Sequence, residues 1–170
     1  MITQITSEHL IIKEIDYDND QTFKEIVGWL NNPLVVRFSE QRHHRHTVET
    51  QKDYISHMIC EGVYRVIYYE DKLIGTISAH LDDHNRVANV GIMIGDHSKW
   101  GLGLGHEAWN VFCDALLKTN IRKIEAGCMI CNRSMMNICS KYGMMEEALL
   151  EDHFLYHEVP MSLVMWGKLK

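Results

Sequence analysis

The sequence predicts a mixed, mostly antiparallel α+β fold, and three observations carry that reading. Three β-rich runs, 64–69, 73–81 and 87–94, are separated by short polar turns and read as an antiparallel meander. A glycine-rich loop, 95–105, then opens an amphipathic helix. A strand, a helix and a closing hairpin follow, so the order is meander, then β–loop–α–β–α, then hairpin. With 170 residues, 46% of them hydrophobic, the chain has the size of one domain spanning 1–170 and can bury a core.

The elements follow in order. His9 to Ile15 reads as the opening strand. Asp16 to Asp20 is a polar turn that starts a helix, and Phe23, Ile26, Val27 and Leu30 fall at helical spacing over 21–31. Asn31-Asn32-Pro33 ends it, because proline lacks an N–H and clashes with the preceding turn. Residues 34–46 read as irregular. Thr47-Val48-Glu49-Thr50 supplies the cap of a helix running to about Cys60, with Tyr54, Ile55, Met58 and Ile59 on its apolar side. The meander turns at Glu70-Asp71 and at Asp82 to Asn85, and Gly91 sits inside its third strand. After the glycine loop, Ala108, Val111, Phe112, Ala115 and Leu116 form one face of a helix over 106–119. A strand covers 121–130 and a helix 133–142, which Gly143 stops. Residues 144–150 and 153–168 supply the last two strands.

Composition bounds the function. Seventeen basic against 23 acidic residues leave a net charge of −6, which argues against a general nucleic-acid binder. Eleven histidines would reduce that charge in mild acid. No apolar run nears the roughly 20 residues of a membrane span. The first residues carry no basic segment leading into an apolar one, so a cytoplasmic protein with no membrane partner is expected. Cys60, Cys113, Cys128, Cys131 and Cys139 are odd in number, as expected of reduced thiols. Cys128 and Cys131 have CxxC spacing, but no second ligand pair stands at zinc spacing, and the pair ends an apolar stretch. They read as half-buried strand cysteines, and no metal is expected. The ten methionines read as flexible core filling.

The segment from Lys99 to Ala108 carries chemistry. Gly101, Gly103 and Gly105 alternate between a strand and a helix start. Glycine lets backbone approach a ligand closely, and amides from Trp100 to His106 would gather at the positive end of the helix dipole. That is a cradle for phosphate or pyrophosphate. The spacing is not the GxGxxG of a dinucleotide fold, and no GK[ST] ending marks a triphosphate loop. A turn that needs no ligand is the alternative.

This segment resembles the acyl-CoA loop of the GNAT superfamily of N-acetyltransferases, whose pattern is Q/R-x-x-G-x-G/A after the fourth strand. Trp100 stands at the Q/R position, with Gly103 and Gly105 at the two glycines. The Trp-Gly start followed by Glu107-Ala108 is similar to the branch of ribosomal-protein N-terminal acetyltransferases, whose members also include amino-sugar acetyltransferases. Downstream, Asn132 and Lys141-Tyr142-Gly143-Met144 resemble the family's Asn-x-x-[Ser/Ala]…Lys-x-Gly-Phe segment. The resemblance implies a GNAT fold in which the fourth strand, Asn89 to Ile94, splays from the fifth, 121–130, around acetyl-CoA. A backbone amide near Met93 or Ile94 would meet the thioester carbonyl. Trp100, Gly101, Leu102, Gly103, Leu104, Gly105 and His106 would hold the pyrophosphate, and Asn132 would lie by the cofactor arm.

Acetyl transfer to an amine requires a deprotonated amine, a polarised carbonyl and a proton for the leaving thiolate. The resemblance puts the general acid, often a tyrosine, at Cys139. A thiol with an ordinary pKa of about 8.5 suits exchange with a thiolate. Packing is the alternative for Cys139, and Tyr142 reads as packing. The glutamate frequent on the branch's fourth strand is Asn89 here, which cannot take the proton. His80 has the best pKa among neighbouring candidates, which include Asp82, Asp83 and His84. A water chain is the alternative. The stretch Gln41 to His46 lies in the loop that lines the acceptor pocket in this fold, and Trp29 to Pro33 with Arg37-Phe38 resembles the branch's acceptor-side segment. A local positive cluster in an acidic protein suits an anionic acceptor. The expected function is acetyl transfer to the primary amine of a small acceptor, first an amino-sugar on a nucleotide carrier. A peptide N-terminus and an aminoglycoside follow. An acyl-CoA-binding protein without turnover is the alternative class, since the tyrosine and the glutamate are both missing. The late strands allow a homodimer.

Overall fold

The structure is a computed structural model that describes residues 3–170. Its strands are β1 Gln4–Thr6, β2 Leu10–Lys13, β3 Gly62–Tyr69, β4 Lys72–Asp82, β5 Val87–Ile94, β6 Lys123–Met129, β7 Met145–Tyr156 and β8 Val159–Leu169. The helices are α1 Asp20–Leu30, α2 Pro33–Val36, α3 Val48–Glu61, α4 Leu104–Leu117 and α5 Arg133–Lys141. The strands form one sheet in the order β1-β2-β3-β4-β5-β6-β8-β7. Every neighbouring pair is antiparallel except β5 and β6. The expected meander is β3-β4-β5, so the fourth strand of the sequence reading is β5.

Local chemistry sets the helix starts. Asn19 accepts from the Gln21 and Thr22 amides at the head of α1, and Asn32 accepts from Leu34 N at the head of α2. The expected cap at Thr47 is reciprocal: Thr47 Oγ1 accepts from Thr50 N at 3.2 Å, and Thr50 Oγ1 accepts from Thr47 N at 3.0 Å. Each such cap contributes about 1 kcal/mol.

Strand alternation divides the core between the two sheet faces. In β3, Val66 packs with Phe23, Ile26 and Leu30 of α1 and Ile55 of α3. Its neighbour Ile67 packs on the other face with Trp109, Phe112 and Leu116 of α4. Burying a large apolar side chain of this kind contributes about 2–3 kcal/mol. Helices on both faces hold the middle of the sheet rigid and leave the gap beside β5 as the place for chemistry.

Five sequence expectations are corrected. The chain forms β1 ahead of the expected first strand, and Pro33 opens a short helix as well as ending α1. The helix after the glycine loop begins at Leu104, two residues early, because Gly103 serves as its cap. The closing hairpin turns at His157-Glu158, both with positive φ, and not at Glu151-Asp152. The polar pair is absorbed as an irregularity in β7, where the register with β8 shifts between Leu150 and Phe154. Finally, Cys128 lies in β6, but Cys131 lies beyond its end in the turn before α5. Among the described residues, no helix is long and apolar enough to cross a membrane.

Candidate active site

The parallel pairing of β5 with β6 runs over Val87↔Lys123, Ala88↔Ile124 and Asn89↔Glu125, and there it stops. β5 continues beside β4 to Ile94, and β6 continues beside β8 to Met129. The two strands therefore part beyond Asn89, each with one unpaired edge toward the gap. A cavity of about 870 Å³ fills the gap and extends past the glycine loop.

Alternation along β5 decides which peptide groups face the opening. Gly95 N donates to the Ile74 carbonyl on the β4 side at 2.8 Å, so Met93 and Gly91, two and four residues back, also point to β4. Ile94 and Ile92 point to the gap. Trp100 Nε1 donates to the Ile94 carbonyl at 2.7 Å, which fixes the indole at the head of the loop. The amides of Ile92 and Ile94 remain as donors along the edge. Of the pair Met93 and Ile94, the second has the amide for a thioester carbonyl.

Beyond Trp100 the backbone enters left-handed conformations at Gly101 (φ 79°) and Gly103 (φ 83°), which side chains resist. Gly103 caps α4 without a side-chain hydrogen bond, and Glu107 N is the first amide to bond back, to the Gly103 carbonyl at 3.0 Å. Among the described residues, the amides of Gly101 to His106 donate to no carbonyl or side chain. Six donors thus stand at the positive end of α4, the arrangement that binds an anion. His106 Nε2 is buried beside them without a partner. The residues expected to hold the cofactor line this cavity: Met93, Ile94, Trp100, Gly101, Gly103, Leu104, Gly105, His106 and Asn132. Leu102 does not, and is 59% exposed.

The two expected catalytic side chains stand elsewhere. Cys139 is fully buried in the core beside Cys113 and Cys128, and burial pushes its thiol up to about 12. The residues of α5 that line the cavity are Ser134, Met135, Asn137, Ile138 and Lys141, so Cys139 faces inward, one position away from the cleft-lining row. His80 lies on β4 outside the cavity, 57% exposed, with Nδ1 3.7 Å from Glu61 Oε2. Tyr142 packs in the core, its hydroxyl donating to Asp114 Oδ1 at 2.8 Å.

Sequence reasoning named the stretch from Gln41 to His46 on the acceptor side of the cavity, but not Gln51, Tyr64 and Thr76, which line it as well. Tyr64, Gln51 and Thr76 form a hydrogen-bonded set there, and desolvation drives the Tyr64 hydroxyl far above its ordinary range. His46 lines the same cavity. Asn31 holds its backbone from both directions, accepting from His46 N at 2.9 Å and donating to the His46 carbonyl at 2.8 Å. The His46 ring sets Nε2 3.4 Å from the Gln41 carbonyl. A neutral ring with its proton on Nε2 then leaves Nδ1 as an acceptor. His46 stands in the stretch that the sequence singled out. Its place in the cleft depends on Asn31, fifteen residues earlier, which no local pattern reveals.

A second chamber, about 820 Å³, opens between the 40–45 loop and the tip of the β7–β8 hairpin. Arg37, Glu40 and Phe154 line both chambers, so the two adjoin. Arg37 lies over the rings of Phe38 and Trp100, 4.8 and 5.6 Å from their centres, which ties α2 to the glycine loop.

A family model described as an acetyltransferase (GNAT) domain matches residues 9–145. The chain belongs to the GNAT acetyltransferase family. Solved structures share the GNAT fold at low identity. One is the microcin C7 self-immunity acetyltransferase MccE, in complex with acetyl-CoA and AMP: 14% identity, 96% of this chain and 94% of that one, TM-score 0.81. Another is RimL, the ribosomal L7/L12 alpha-N-protein acetyltransferase, in complex with coenzyme A: 13% identity, 98% and 97% coverage, TM-score 0.82. A third is spermidine N-acetyltransferase from Vibrio cholerae, with CoA and spermine: 16% identity, 96% of both chains, TM-score 0.83. No curated protein sequence matches the chain. The expected GNAT splay is the parting of β5 from β6.

Proposed function

We propose that this GNAT enzyme moves the acetyl group of acetyl-CoA to the primary amine of a small anionic acceptor, an amino-sugar on a nucleotide carrier. The carrying observation is the parting of β5 from β6 beside six unpaired amides. The pyrophosphate would lie on the amides of Gly101 to His106, with buried His106 Nε2 as a further donor. The pantetheine arm would pair with the open edge of β5, past Asn132. The Ile94 amide would polarise the thioester carbonyl.

His46 is the general base in this reading. The Asn31 clamp and the Gln41 carbonyl support it, because they fix the backbone and one ring nitrogen of a cavity-lining histidine and leave the other nitrogen to accept a proton. The amine loses its proton to His46 and attacks the carbonyl, and the tetrahedral intermediate collapses to amide and thiolate. The thiolate takes its proton from water in the open cleft. Cys139 is assigned to packing.

The neighbour solved with AMP favours a nucleotide-bearing acceptor. The basic loop disfavours a polyamine, since like charges repel. A peptide N-terminus is the second reading, favoured by the likeness to RimL. All five cysteines are free, which fits the reducing cytoplasm. A homodimer would use the outer edge of β7, where Leu149 and Leu150 are exposed.

An acceptor screen tests the function. Thiol release from acetyl-CoA is followed against nucleotide amino-sugars, N-terminal peptides, polyamines and aminoglycosides. Saturable release is expected with an amino-sugar nucleotide, and mass spectrometry should find the acetyl group on its amine. Tight acetyl-CoA binding with no release on any amine would instead assign a non-catalytic acyl-CoA-binding protein.

A further inference from the structure

The chamber at the hairpin tip is built from two distant stretches of chain. The 40–45 loop contributes Arg42, His43, His44 and Arg45, and the hairpin contributes His153, Tyr156, His157 and Glu158. Arg42 is committed to joining them. Its Nη1 meets Glu40 Oε1 at 2.7 Å and the Ser39 carbonyl at 2.9 Å, and its Nη2 donates to the Leu155 carbonyl at 2.9 Å. Glu40 is thereby neutralised, with His43 Nε2 also 3.8 Å from it.

The remaining charge is cationic. Arg45 has no hydrogen-bond or ion-pair partner among the described residues, and Arg37 rests on aromatic faces with its donors free. Against these two guanidinium groups stands one carboxylate, Glu158. Four histidines complete the wall. Such a surface is unusual in a chain of net charge −6.

We propose that this chamber is the seat of the acceptor's diphosphate, held by Arg45, Arg37 and the histidines, with the nucleobase against Tyr156. The inference rests on the acetyltransferase reading and gives its acceptor a binding site. Size favours a small ligand over a polymer, since about 820 Å³ falls within the range of about 300–1,000 Å³ of small-molecule sites. The overall negative charge would also repel a nucleic acid. Because Arg37, Glu40 and Phe154 are shared with the transfer cleft, the sugar would point from this seat toward the thioester.

The test is calorimetric titration of CoA-saturated protein with UDP-glucose and dTDP-glucose, which carry the diphosphate but no amine. Saturating CoA keeps the probe off the glycine loop. Binding is expected for at least one sugar nucleotide and not for uridine or thymidine. It should weaken at least tenfold in Arg45→Gln and in His157→Gln, with CoA affinity unchanged as the control for folding. No binding of either probe, or equal affinity in Arg45→Gln, would overturn the proposal. Failure to bind CoA would count against the acetyltransferase reading instead, and sugar-nucleotide binding without acetyl transfer would leave the seat standing.

Discussion

At the scale of single residues, burial and orientation decide what a reactive side chain can do. The thiol of Cys139 has the right chemistry at its ordinary pKa. In the core it is raised to about 12 and faces away from the cleft. Cys139→Ala should therefore leave kcat within about threefold while lowering Tm, because removing the buried sulfur leaves a small cavity. A loss of tenfold or more in kcat would restore Cys139 as the acid. His46 is the opposite case, an ordinary loop histidine made useful by its holders. His46→Gln should lower kcat by about 10²- to 10⁴-fold with an unchanged KM for acetyl-CoA. Added imidazole should restore part of the lost rate, which a merely structural role would not allow. A rate in His46→Gln within about threefold of wild type would exclude His46 as the base.

At the scale of elements, β2 is tied to the helix that carries the cofactor loop. His9 N donates to Glu107 Oε1 at 2.9 Å, and His9 Nδ1 lies 3.0 Å from Glu107 Oε2. The hydrogen bond to Glu107 raises the His9 pKa above its ordinary 6.5. Burial works to raise the Glu107 pKa, but hydrogen bonds from Ser7 and His9 outweigh it and hold the carboxyl below its ordinary 4.5. The signs follow. The His9 contribution is complete below about pH 6.5 and fades as pH climbs through the raised value. The Glu107 contribution is present above its ordinary value and fades as pH falls through the lowered one. Between pH 5 and 8, thermal melts should show the wild type losing more stability than His9→Gln as pH rises. Parallel curves for the two proteins would mean that the ion pair contributes nothing.

At the scale of the molecule, local signals and long-range ones fared differently. The cap at Thr47, the meander and the glycine loop are written in contiguous residues, and each is legible from sequence. The hairpin tip was misplaced because Glu151-Asp152 has turn chemistry, whereas register with β8 carries the chain on to His157-Glu158. The contacts that assemble the acceptor side of the cleft were hidden for the same reason. Asn31 reaches His46, and Arg42 reaches Leu155 across 113 residues, through contacts that only the assembled sheet creates. Sequence pattern could name the glycine loop at the head of α4. It could not tell which face of α5 meets the cleft, and so it left Cys139 between general acid and packing.

One binding measurement at Gly103 tests the cofactor's proposed place on the glycine loop. Gly103 holds a φ of 83° at the head of α4, with nothing within 4 Å of where a Cβ would point. Gly103→Val therefore disturbs the loop backbone and the space a ligand would enter, without displacing the core. Acetyl-CoA titrated against both proteins should bind the wild type saturably, and at least tenfold more weakly in a Gly103→Val protein that still melts cooperatively. Equal affinity in the two proteins would contradict the placement of the cofactor on this loop.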